Sequence, residues 1–284
     1  MLSDIFETTY TQGSFVLKRL DSFTMKKMPA IFVSHGLPAI LLMKGKTPDF
    51  LRKLGAMLPC PKGVICVSAH WEATHPRVTA AARPEIIHDF SGPPALFKMQ
   101  YAVQGDPALA KNAVQLIKKA GLKATADSER GLDHGAWVPL KMMYPEADIP
   151  VVQLSVQTEK DPEHHYKLGK ALMPLRENGV LIMGSGGAVH NLDEVYRYKI
   201  DSAPPDYARA FDDWLEKAVA DGATDTLIDY IHTAPDPRQC HPFPAEHFLP
   251  FFVPLAAAGP GSPGKKLHHD FMYGVLSMAV YLWF

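Results

Sequence analysis

Three histidines stand directly after stretches that read as buried strands, and a chain that ends three strands on imidazoles has few folds open to it. Val64–Trp71 reads VICVSAHW and delivers His70. Ala30–Gly36, AIFVSHG, delivers His35, and Val180–Asn191, VLIMGSGGAVHN, delivers His190 after a short glycine loop. A continuously apolar strand belongs to a sheet covered on both faces. In open α/β sheets, sites form outside the carboxyl ends of the strands. Three imidazoles in that position converge on one point, and a bound divalent metal is the simplest reason to build such a point.

The rest of the chain alternates in the way this requires. Strands are expected at Ala30–Ser34, Val64–Ser68, Arg77–Ala82, Val151–Val156, Val180–Met183 and Gly274–Leu282. Helices are expected at Thr47–Leu58, with Thr47 as cap, from Asp106-Pro107 to Gly121, and within Gly131–Tyr144. Further helices run from Asp161-Pro162 to near Gly179, over Pro205–Ala220 and Asp225–His232, and over Pro244–Ala258 with His247 in the first turn. Asp-Pro openings place a capping carboxylate before a proline suited to the first helical position. Glu85–Gly105 reads as a long loop, which in a compact domain is often functional. The expectation is one α/β domain over 28–284, with a mostly parallel central sheet covered by helices and a metal site at the strands' carboxyl ends. Residues 1–27 read as an N-terminal extension. The terminal strand is apolar enough to be central or to pair with a second copy as a homodimer.

Composition excludes several partners. Formal net charge is −1, from 29 Lys+Arg and 30 Asp+Glu, which gives no electrostatic case for nucleic acid or an anionic membrane. No apolar run has the length of a transmembrane helix. Cys60, Cys66 and Cys240 form no CxxC pair, so a reduced, cytoplasmic protein is expected.

A lone histidine at a strand end is ordinarily a satisfied polar residue; three in equivalent positions favour a site. His134, in Asp133-His134-Gly135, is by itself a turn or capping histidine, and its flanking glycine permits close backbone approach. His247 is by itself an exposed first-turn residue, and neighbouring Glu246 is an equally good ligand by type. His75, His164, His165, His268 and His269 stand in polar surroundings and read as surface residues. Gly184-Ser185-Gly186-Gly187 fails as a dinucleotide fingerprint because Val189 stands where glycine is needed. It fails as a nucleophile elbow because Met183 precedes it. Its glycines read as a tight turn that lets His190 reach the centre.

Together the motifs SHG at 34–36, SAHW at 68–71, HDF at 88–90, GLDHGAW at 131–137, YPEADIPVVQLS at 144–155, GSGGAVHNL at 184–192 and PAEHFLP at 244–250 resemble the class III extradiol ring-cleavage dioxygenases. The resemblance is to the LigB-like group and, within it, to the 4,5-DOPA extradiol dioxygenases, and it runs in order from about Met28 to the C-terminus. It implies one non-haem metal per chain held by His35, His70 and His247. His190 matches the catalytic acid/base, sometimes a fourth metal contact, and His134 matches a residue that hydrogen-bonds substrate or oxygen. His88, Asp89, Phe90 and Tyr101 are expected around the substrate.

The implied reaction joins O₂ and a DOPA-like catechol at Fe(II) and opens the ring to a muconic-semialdehyde-type product. Zn(II) could occupy the same site without supporting ring cleavage. Two alternatives stand beside this reading: a zinc-dependent hydrolase on the same scaffold, and a non-enzymatic, Memo-like interaction protein.

Overall fold

A computed structural model describes residues 27–284. The sheet is built from β1 (Ala30–Ser34), β2 (Gly63–Glu72), β3 (Arg77–Thr79), β4 (Thr125–Asp127), β5 (Val151–Val156), β6 (Val180–Gly186), β7 (Gly264–His268) and β10 (Val280–Trp283), while β8 (Phe271–Met272) and β9 (Leu276–Ser277) pair with each other separately. Its eight strands run in the order β4-β3-β5-β2-β6-β1-β10-β7. The central four, β5-β2-β6-β1, are parallel; β10 and β7 add antiparallel to one side, and β3 is antiparallel to β5 on the other.

The helices are α1 (Lys46–Met57), α2 (Pro94–Phe97), α3 (Pro107–Lys119), α4 (His134–Met143), α5 (Pro162–Leu172), α6 (Asp206–Ala220), α7 (Thr224–Ile228), α8 (Tyr230–Thr233), α9 (Pro237–Cys240) and α10 (Phe252–Ala258). Side chains alternate across a strand, and the core divides accordingly. Ile31, Val33, Val64 and Cys66 pack with α1 and α4 on one face. Ala30, Ile65 and Val67 pack with α3, α5 and α10 on the other, extended by Phe32, Tyr281 and Trp283 against α6. Both faces of the central strands are therefore covered, which is why those strands carry so few polar residues.

Four expectations change in detail. The helix expected over Pro244–Ala258 forms only as a short 3₁₀ turn at Leu249–Phe251 followed by α10. Ala245 sits at φ 59°, outside the right-handed helical region, and prolines 244, 250 and 254 supply no N–H donor. His247 thus lies in an irregular segment ahead of the helix. Gly274–Leu282 divides into β9 and β10, and β10 is interior, between β1 and β7. Asp225–His232 breaks into α7 and α8. Thr47 does not cap α1, whose N-cap position is Gly45; the Thr47 hydroxyl instead donates to Asp270 at 2.8 Å. The expected extension at 1–27 lies outside the described residues except for Lys27.

What matters for the site is register. Ser34 of β1 pairs with Gly186 of β6, and Ser68 of β2 with Ser185. Neighbouring strands lie about 4.8 Å apart, so three carboxyl ends arrive level and side by side. β2 continues past Ser68 to Glu72 and carries His70 within it, while its pairing with β5 slips between Ser68 and Glu72. Such an irregularity re-aims a side chain at a strand end.

Candidate metal centre

Five imidazoles meet where the strands end. His35 follows β1, His70 is in β2, and His190 follows β6. His134 opens α4, and His247 comes from the segment before α10. The His70 Nε2 lies 3.1 Å from the His35 Nε2 and 3.1 Å from the His247 Nε2. The His190 ring stacks on His247 with centroids 3.5 Å apart and planes 8° from parallel. His134 lies beside His70, centroids 3.8 Å apart. Donor atoms of His35, His70 and His134 lie within 4.8 Å of one another, and so do those of His190, Glu246 and His247.

Hydrogen bonds behind the rings set which nitrogens face inward. Ser185 donates its hydroxyl hydrogen to the Gly135 carbonyl, so it accepts from the His35 Nδ1–H at 3.0 Å. Glu246 accepts from the His247 Nδ1–H at 2.8 Å. Both Nε2 atoms therefore carry lone pairs. The single proton that His70 could place on its Nε2 points fully at one neighbour, which leaves the other contact lone pair against lone pair. A cation among the three resolves this, and neutral imidazole is a good donor to zinc, iron and copper. The donor set fits a divalent metal. An outer partner that fixes the tautomer is what metal-binding histidines ordinarily have.

Electrostatics point the same way. Burial, reinforced by the neighbouring imidazoles, holds His35 and His247 well below the usual histidine range. Burial and His134 push His70 down to about 3, and burial pushes His190 down to about 4. His35, His70, His190 and His247 are thus neutral at physiological pH, with their lone pairs available.

The glycines turn out to serve the approach of one segment to another. A Cβ on Gly186 would collide with the His247 carbonyl, and the Gly187 N–H donates to that same carbonyl at 2.8 Å. On Gly135 a Cβ would press on the Ser68 hydroxyl and the His70 ring. The tight-turn reading of 184–187 is therefore incomplete: these residues let the His247 segment lie directly against β6. His190 is fixed by its own N–H, which donates to the Cys240 carbonyl at 2.9 Å.

Asp133 caps α4 and binds the helix to β2, accepting from the Ala136 N–H at 3.3 Å and the Ser68 hydroxyl at 2.6 Å. Gln153 also donates to it, and Ser68 in turn accepts from the His70 N–H at 3.2 Å.

The expected substrate residues divide. Phe90 faces the cavity beside His134, centroids 5.6 Å apart. Asp89 lies behind His134 and bonds to it. His88 and Tyr101 line a separate cavity with Arg83 and Gln104. The Tyr101 hydroxyl donates to the Leu140 and Tyr144 carbonyls, so it is a core tyrosine held at the C-terminal end of α4, whereas His134 stands at the N-terminal end. His165 is a second correction. It is fully buried, its Nδ1–H donating to Asp161 O and its Nε2 accepting from the Gln157 N–H. Ser185, Ser68 and Gln153 were not singled out from sequence. Their signal was a polar residue inside an otherwise apolar buried strand.

Residues 29–282 match the family described as the catalytic LigB subunit of aromatic ring-opening dioxygenase. The chain belongs to the LigB family. It is 42% identical to a 4,5-DOPA dioxygenase extradiol of Beta vulgaris, over 88% of this chain and 94% of that one. Against the protein of the same name from Escherichia coli K12 it is 38% identical, over 81% and 85%. The crystal structure of an uncharacterized protein from Escherichia coli K12 superposes with a TM-score of 0.75 at 32% identity, covering 91% of this chain and all of that one. As a LigB enzyme the chain is an extradiol ring-cleavage dioxygenase: it opens a catechol beside its two hydroxyls, using O₂. LigB enzymes depend on a non-haem metal, and the imidazole cluster is where this chain can hold one. No helix among the described residues is long and apolar enough to cross a membrane.

Proposed function

We propose that this LigB enzyme cleaves a DOPA-like catechol at a ferrous ion held by His35, His70 and His247, with His190 as acid/base and His134 as the hydrogen-bond partner of substrate oxygen. The observation that carries the ligand choice is the position of the His70 Nε2, 3.1 Å from both of the other two Nε2 atoms. When bound, Fe(II) supplies coordination for both catechol oxygens and an electron for O₂, whereas Zn(II) supplies only the first.

The chain's own groups then have separable tasks. Neutral His190, pushed down to about 4 by burial, takes a catechol proton at a ring nitrogen and later returns one. His134 keeps its Nδ1–H on Asp89, so its Nε2 is the atom offered to the cavity. There the Nε2 lone pair accepts a hydrogen bond from a substrate hydroxyl and so fixes where that oxygen lies. Leu276 and Met278 form a buried apolar wall that keeps water from the ring. The catalytic domain is taken as 28–284, with 1–27 as an extension. Three thiols without disulfides suit a cytoplasmic setting.

The test is anaerobic reconstitution of metal-free protein with Fe(II) or Zn(II), followed by O₂ and a catechol panel that includes DOPA. Yellow ring-opened product with iron alone, lost in His190→Ala and His247→Ala, is the expected result. Iron-loaded protein that colours with no catechol would overturn the reading, and product formed anaerobically with zinc would favour hydrolysis.

A further inference from the structure

The cavity over the imidazoles is small and carries no formal charge on its walls. Its volume is about 200 Å³, below the usual range for sites that enclose a drug-sized ligand. Among the described residues, its lining holds five histidines, serines, glycines and apolar side chains, with no lysine, arginine, aspartate or glutamate. The inner wall is Leu276 and Met278, both buried; the rim is Leu37, Phe90 and Leu192, all partly or largely exposed. Two carboxylates hydrogen-bond the imidazoles from behind, Asp89 on His134 and Glu246 on His247. The guanidinium of Arg130 touches the His70 carbonyl from outside, where it is paired with Asp133.

From this we infer that the enzyme selects catechols whose ring substituent is uncharged where it leaves the ring, and rejects those with a carboxylate on the ring itself. A catechol that turns its hydroxyls to the imidazoles directs its ring substituent away from them, toward the rim residues. A ring carboxylate would lose part of its hydration against Leu37, Phe90 and Leu192, with no lysine or arginine among the lining residues to pair with, and in the field of Asp89 and Glu246. A charge that gives up water without gaining a partner is disfavoured. A charge carried at the end of a spacer passes the rim and stays in water. Side-chain length beyond the spacer is then a weak determinant, and charge at the first atom a strong one.

The inference rests on the dioxygenase reading only in taking a catechol as occupant, and the test separates the two. Fe(II)-loaded protein is titrated anaerobically in a calorimeter with 4-methylcatechol, with protocatechuate, and with 3,4-dihydroxybenzamide, the uncharged isostere of protocatechuate. Turnover of each is then measured by O₂ uptake. The methyl and amide compounds are expected to bind at least tenfold more tightly than protocatechuate. Leu192→Arg, which puts a cation at the exposed rim, should narrow that ratio at least fivefold; Leu37→Lys is the second variant should the first fold poorly. Protocatechuate binding as well as the amide, an amide as poor as protocatechuate, or no binding by any of the three would overturn the inference. A tenfold binding ratio without turnover of any catechol would leave it standing and sink the dioxygenase reading instead.

Discussion

One carboxylate oxygen of Asp89 accepts two hydrogen bonds from His134, one from the ring Nδ1–H at 2.9 Å and one from the backbone N–H at 3.0 Å. The pair fixes both the tautomer and the direction of the ring at the start of α4. Burial alone would raise the Asp89 carboxyl, but its bonds to His134 outweigh that and hold it below the ordinary carboxylate range. Asp89→Asn keeps the shape and an acceptor while removing the charge. Its kcat should fall roughly 10–100-fold, the range for groups that orient an active-site histidine, with Tm and metal content nearly unchanged. Steady-state O₂ uptake and metal analysis check this; full activity in the variant would show that the charge behind His134 does not matter.

Ser185 joins two elements that hold the centre, accepting from His35 and donating to the carbonyl of Gly135 beside His134. Ser185→Ala removes both bonds in a fully buried place. Metal affinity should weaken by roughly 10–100-fold, measured by competition with a chromogenic chelator. Stability should fall by about 1–3 kcal/mol for the buried groups left unpaired, read from denaturant unfolding of the metal-free form.

Much of this site was legible because strand ends obey simple rules. An apolar run with a histidine after it predicts burial and direction at once, and His35, His70 and His190 came together as that pattern requires. His134 and His247 needed the family's motifs, since neither a loop before a helix nor an irregular segment carries a periodic signal. The segment before α10 misled because apolar residues at helical spacing do not register a left-handed alanine or missing proline donors. Tyr101 misled for a related reason: a loop aromatic near HDF reads as a pocket wall, but only tertiary structure shows that its hydroxyl is taken by α4 carbonyls. His165 read as solvated among charged neighbours, although its own helix start and Gln157 bury it.

Gly186 tests whether the His247 segment must touch β6. A Cβ there meets the His247 backbone carbonyl, which cannot swing aside as a side chain can. Gly186→Ala should cost roughly 1–3 kcal/mol as overpacking and displace His247 from its partners. Bound metal per chain should drop well below that of the parent protein at temperatures far under the variant's Tm. A variant with full metal content would mean that the contact relaxes without moving His247.

Acid stability follows from His165. Its Nδ1–H donates to the Asp161 carbonyl and its Nε2 accepts from the Gln157 N–H, so a second proton would set N–H against N–H in a buried place. Burial pushes this histidine down to about 4, while the unfolded chain titrates near 6.5. Between those values the unfolded state holds the proton and the folded state does not. The stabilising contribution is complete above pH 6.5 and is lost as pH falls toward 4, at up to about 1.4 kcal/mol per pH unit. Below 4 it changes no further. His165→Gln keeps an acceptor for the Gln157 N–H and cannot titrate, so its stability between pH 6.5 and 4 should decline less steeply than that of the parent, by about one proton's worth. Denaturant midpoints at half-unit pH steps, taken on metal-free protein so that ligand binding does not contribute, measure the difference. Parallel curves would place the acid sensitivity in the central imidazoles and His241, which burial also holds down, to about 3.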